Sequence, residues 1–184
     1  MSLKNIVNFI LFQLLWLACV WGAAHQLLYP GLAVFSLLLI WHLLPANQHS
    51  GDLRVMLLAL LMGGIVDSLW QYFDILSYQL SLTDRIAPIW ILLLWMGFAL
   101  TINHSLSWLK GRALIASIFS AAAAPCSYYA AERLGAVEFA SANRWVSLSL
   151  LALAWAVIFP LLILAARRWA VPDTEKNSNQ EVHV

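Results

Sequence analysis

Asp67, Gln71, Asn103 and His104 are the residues of this chain best placed to do chemistry, because each stands within or at the end of a strongly apolar run. An Asp at the centre of a membrane helix costs about 2.5–3.5 kcal/mol on insertion scales, so such side chains face other helices or a wet cavity. Asp67 can therefore serve as a proton- or cation-handling carboxylate, as a grip on a polar headgroup, or as a hydrogen-bonding hub satisfied by Gln13, Ser68 or a tyrosine. Gly63, Asp67, Trp70, Gln71 and Asp74 recur at helical spacing and are expected to share one face. Gly63 sits one turn before the carboxylate and lets a second helix approach closely. His104-Ser105 has the residue types of a base and a nucleophile, but neighbours on a helix point about 100° apart and form no dyad. His42, His49 and His104 show no ligand spacing and read as interfacial side chains, so no metal site is expected. No catalytic set and no cofactor motif is recognisable.

The elements that hold these residues are apolar runs. The chain has 184 residues, 62% hydrophobic and 10% charged, with a mean hydropathy of +0.80. A soluble domain carries about 25% charged residues, so this chain reads as all-α, a polytopic bundle of six transmembrane helices. The runs are about Ile6–Ala24, a second from after Gly31 to Leu44, Leu53–Tyr72, Ile86–Leu106, Ala113–Ala131 and Trp145–Ala166. Each is about twenty residues, which at about 1.5 Å per residue matches a hydrocarbon core of about 30 Å. Residues 1–170 form a single domain, and the polar stretch 171–184 is expected to be a disordered cytoplasmic tail. The first run, followed by Gly22-Ala23-Ala24, has some features of a signal peptide, but Asn8, Gln13 and Trp16 interrupt it and favour a retained helix.

Placing both termini in the cytoplasm puts Lys4, Arg54, Lys110, Arg112, Arg167, Arg168 and Lys176 inside and Arg85, Arg133 and Arg144 outside, seven against three. The excess sets that orientation. From Leu53, Asp67 then lies about 21 Å along its helix, in the outer half of the membrane. Tyr128 and Glu132 come to the level of Asp67 and Asp74, whereas Asn103 and His104 sit near the cytoplasmic side. Glu132 and Arg133 read as a solvated interface pair, and Trp90, Trp108, Trp145 and Trp169 as interface anchors. The segment Phe73–Arg85 alternates apolar and polar residues and is expected to lie in the interface. Ser117, Ala121, Ala124 and Tyr128 follow at four- and three-residue steps, a small-residue ridge for helix packing that Pro125 can bend. Cys19 and Cys126 fall in apolar runs and read as small hydrophobes. A net charge of +1 gives no reason to expect nucleic acid.

Several stretches together resemble a family of small bacterial inner-membrane proteins known as domain of unknown function 2878. They are Trp16–Ala23, the glycine-rich approach to Asp67-Ser68, Pro88 to Trp90 with Leu94-Trp95, Asn103–Leu109, Pro125 to Tyr128, and Leu134 to Ala136. Ala124 stands where the family pattern has glycine before Pro125, which argues against a glycine hinge there. The resemblance implies no defined activity. Family members tend to accompany lipid-modifying enzymes, which points to work on lipids. The foremost reading is a non-enzymatic lipid-associated or assembly component of envelope or lipid metabolism. Its expected partners are membrane lipids and a membrane protein or a second copy of the chain. The alternatives are a small transporter coupling a proton or cation through Asp67, and a membrane-embedded lipid-modifying enzyme.

Overall fold

The computed structural model describes residues 2–139 and 143–170. The stretch 171–184, expected to be a disordered tail, lies outside those residues. Six α-helices occur among them: α1 Leu3–Ala24, α2 Tyr29–Leu43, α3 Asp52–Tyr72, α4 Ile89–Ile102, α5 Ala113–Arg133 and α6 Arg144–Trp169. Four of these, α1, α3, α5 and α6, are long and apolar enough to cross a membrane.

The other two are shorter than the twenty-residue runs expected. α2 has 15 residues and α4 has 14, about 21–22 Å of rise against a core of about 30 Å. Proline sets both limits. Pro45 follows Leu44, the C-cap of α2, and Pro88 is the N-cap of α4, where a residue without a backbone donor leaves nothing unsatisfied. α4 ends at Ile102 and the chain turns through Asn103–Leu106 into a short 3-10 helix, Ser107–Leu109. That turn replaces the last helical turns expected before Leu106.

The helices run alternately between two ends of a bundle. At one end the Lys4 ammonium donates to Ala46 O, Asp52 meets His104, and Gly51 packs against the backbone of Trp169. At the other, Gln26 Nε2 donates to Gln79 Oε1 and Gly135 lies beside Ala24. α4 is the central element, packed on α1, α2, α3 and α6, and Trp90, Ile91, Leu93, Trp95, Ala99, Leu100 and Ile102 are buried along it.

The second end carries structure that an all-α reading misses. β1 (Leu76–Tyr78) and β2 (Val137–Phe139) form a two-stranded antiparallel sheet, with Leu76 opposite Phe139 and Tyr78 opposite Val137. This sheet fastens the α3–α4 connection to the chain leaving α5. Leu76 and Tyr78 are buried, so Phe73–Arg85 forms a folded cap on this end of the bundle. Trp90 is buried too, and its indole donates to Gln79 O at 2.8 Å. It anchors the cap from inside, while Trp108 and Trp145 are exposed.

Candidate functional site

Asp67 sits on the buried line of α3 with Val55, Ala59, Gly63 and Gln71. Its carboxylate is fully enclosed and takes three hydrogen bonds. Tyr78 Oη donates to Oδ1 at 2.5 Å, Tyr128 Oη to the same oxygen at 2.7 Å, and Trp95 Nε1 to Oδ2 at 2.6 Å. The donors come from the cap, α5 and α4, so one side chain joins four elements. Burying such a group is costly unless its oxygens are bonded, and here both are. Neither ion pair found among the described residues, His104–Asp52 and Arg144–Glu132, involves Asp67. Burial, followed by the nearby Asp67 carboxylate, pushes the Tyr78 phenol well above its ordinary range.

Gly63 is what admits Trp95. A Cβ at that position would stand 2.2 Å from the indole ring. Trp155 of α6 stacks on the same indole, with centroids 4.7 Å apart and planes at 14°. Phe98 meets Trp155 edge-on at 5.3 Å and Phe159 at 5.2 Å, which continues an aromatic wall along α4 and α6.

That wall faces a half-open cavity of about 550 Å³ between α1, α4, α5 and α6. Aromatic and aliphatic side chains dominate its lining, and Gln13, Thr101, Ser120, Ser127 and Tyr128 supply the polar groups. Trp95 and Tyr128 line the cavity on one side and hold Asp67 on the other. α1 and α5 are tied across it by Trp16 Nε1 donating to Ser127 Oγ at 2.8 Å. The volume falls within the range of about 300–1,000 Å³ typical of small-molecule sites.

A second polar cluster occupies the opposite end. Asp52, in the first turn of α3, accepts from Asn103 Nδ2 at 2.6 Å and pairs with His104 Nε2 at 2.9 Å. Asn8 of α1 accepts from Ser105 Oγ at 2.6 Å and donates to Leu100 O at 3.1 Å, with His42 Nε2 at 3.4 Å. The turn after α4 thus sends Asn103 and His104 to α3 and Ser105 to α1, so His104 and Ser105 serve different partners. Burial holds the Lys110 ammonium nearby below its ordinary range, with the charge of Asp52 opposing the shift.

The family model described as "Protein of unknown function (DUF2878)" matches residues 5–161, a span that contains both clusters and the whole cavity lining. The chain belongs to the DUF2878 family. No curated protein and no solved structure matches it.

Of the residues singled out by sequence, the DUF2878 chain brings Gly63, Asp67 and Tyr128 together. Gln71 is buried one turn on, but its amide donates to Ser81 Oγ at 3.3 Å and Thr83 O at 3.5 Å, within the cap. Asp74 does not join them. α3 ends at Tyr72, and Asp74 is exposed in a left-handed turn with φ 50°, a conformation Asp tolerates better than most residues. Glu132 pairs with Arg144 at 2.9 Å, not with its neighbour Arg133. The buried line of α5 is Ala116, Ser120, Ala124 and Ala131, whereas Ser117 and Ala121 are half-buried, so the ridge expected through those two is displaced around the helix. Ser120 Oγ donates to Trp155 O at 2.8 Å on this line. Pro125 lies inside α5, which continues unbroken to Arg133. Sequence reasoning missed Trp95, Tyr78 and Asp52. Among them only Trp95 carried a signal, as an indole donor in an apolar run that needs a partner when buried.

Proposed function

We propose that this chain is a multi-pass protein of a bacterial inner membrane that holds the apolar chain of a membrane lipid. In that role it is a non-enzymatic component of envelope or lipid metabolism. The observation that carries the reading is the apolar cavity of about 550 Å³ between α1 and α5, with polar groups sparse and concentrated on a few side chains. α1 and α5 are both long enough to cross a membrane, so an opening between them faces acyl chains. Phe9 and Phe119, at 45% and 43% exposure, flank it.

In this reading all six helices cross, with the 3-10 turns after α2 and α4 extending the two short ones and local thinning of the bilayer making up the remainder. Lys4, Arg54, Lys110, Arg112, Arg167 and Arg168 belong to the end that holds Asp52 and His104, which supports cytoplasmic termini. A transporter coupled through Asp67 has less support, because that carboxylate is enclosed and already bonded on both oxygens. The test is photolabelling in membranes with a phospholipid carrying a diazirine midway along one acyl chain. Adducts are expected on α1 around Phe12–Trp16 and on α5 around Ser127-Tyr128, above those on the outward-facing Leu153 and Val157 of α6. Even labelling of all lipid-facing helices would refute the reading.

A further inference from the structure

The polar cluster at the Asp52 end has features that its hydrogen bonds alone do not explain. His42 comes from α2, Asp52 from the start of α3 and His104 from the turn after α4. One ligand atom of each lies within 4.8 Å of the other two. His42 and His104 are 6% and 8% exposed.

His42 Nδ1 lies 2.9 Å from Leu38 O. Donation there puts the ring proton on Nδ1 and leaves the lone pair on Nε2, the arrangement by which a backbone carbonyl prepares a histidine to bind a metal. In that tautomer Nε2 faces Leu100 O at 3.2 Å and Asn8 Nδ2 at 3.4 Å, a long contact with a donor that a cation taking the lone pair would displace. Asn103 supplies an independent sign. Its Nδ2 donates to Asp52 Oδ1, yet its Oδ1 is buried without a partner. A buried amide oxygen left unbonded beside a carboxylate costs about 1–3 kcal/mol, and turning the amide over offers that oxygen to a cation held by Asp52.

The geometry points to a binding site for a first-row divalent cation, Zn²⁺ fitting the donor set best, held by His42, Asp52 and His104. Two imidazoles and a carboxylate are a common three-ligand set for this ion, and the fourth position is open to Asn103 Oδ1 or water. With bonds of about 2.0–2.1 Å, tetrahedral ligand atoms stand about 3.4 Å apart, so the cluster closes inward on loading. Asp52 at a helix start and His104 in a turn are placed to make that movement. The ion ties α2, α3 and α4 together at the end of the bundle and enters from the same side. This inference is independent of the lipid reading, since the cluster shares no residue with the cavity lining.

The test uses the full-length protein, purified in detergent with a histidine-free tag, stripped with chelator, given excess Zn²⁺ and desalted. Elemental analysis is expected to find about one Zn²⁺ per chain, and Co²⁺ in its place should give the intense visible bands of a tetrahedral site. His42→Gln and His104→Gln should each retain less than about a tenth of that metal. His25→Gln, at the other end of the bundle, should retain all of it. Circular dichroism and size exclusion of the metal-free variants show that they are folded. Should either variant fail to fold, the Co²⁺ spectrum of the unaltered protein decides the matter. Absence of the tetrahedral bands, retention below about a tenth of an equivalent by the unaltered protein, or undiminished retention by both folded variants would overturn the inference.

Discussion

The indole of Trp95 fills the space that a side chain on Gly63 would need, and its Nε1 donates to Asp67 one turn further along the same helix. Glycine at 63 and the bond at 67 are therefore one device. Gly63→Val should displace the indole and destabilise the protein by about 1–3 kcal/mol, the usual cost of overpacking. The loss should be read as a lower unfolding temperature in detergent. Combining it with Trp95→Leu should cost less than the sum of the two single changes, because the overlap and the bond are lost together.

Asp67 substitutions should fall into an order set by how many donors are left unbonded. Asp67→Asn keeps an oxygen for Tyr78 and Tyr128 but turns an N–H toward the Trp95 indole. Asp67→Leu abandons all three donors, at about 1–3 kcal/mol for each buried group left unsatisfied. Detergent thermostability should decrease from Asp to Asn to Leu. Equal stability of Leu and the unaltered protein would remove Asp67 from its place as hub.

Tyr78 gives a pH dependence with a defined sign. Its folded-state pKa lies well above the ordinary value because the phenol is buried and faces Asp67. Below pH about 10 the phenol is protonated in both states and the contribution is complete. Above that, the unfolded chain loses the proton and the folded protein keeps it, so stability falls as pH rises. Unfolding measured across the alkaline range should show this slope, and Tyr78→Phe should reduce it by about 1.4 kcal/mol per pH unit.

Topology is checked by reporters active only in the periplasm. A fusion after Val184 should be silent, and one inserted at Leu82, the most exposed large hydrophobic residue of the cap, should be active. The reverse pattern would overturn the orientation drawn from charge.

The helical face of Asp67 was legible because Gly63, Asp67 and Gln71 repeat with the period of an α-helix, and Gly63 announced a close neighbour. The same period carried the expectation too far, to Asp74, since a helix end in a left-handed turn leaves no mark on spacing. The end of α2 was marked by Pro45, but the run Ile86–Leu106 passed over Pro88, the N-cap of α4, and apolar residues beyond α4 hid the turn at Asn103. Leu76-Ser77-Tyr78 does alternate as a strand should. Three residues are too few to read alone, and their partner Val137–Phe139 lies far along the chain. A tyrosine partner for Asp67 was expected and Tyr128 was placed at its level, but the convergence of Tyr78 and Trp95 on it and the meeting of His42, Asp52 and His104 were not legible. They arise from helices packing against one another, and no local pattern records which faces meet.

Native mass spectrometry of the protein released from detergent tests the lipid reading most directly. Ala124 lines the cavity on the buried side of α5, and Ala124→Phe places a ring in the space assigned to the acyl chain. The unaltered protein should carry a bound lipid that survives mild activation, and Ala124→Phe, if still monodisperse, should lose at least about nine-tenths of it. A protein that flies free of lipid, or a variant that keeps the same adducts in the same proportion, would contradict a lipid site between α1 and α5.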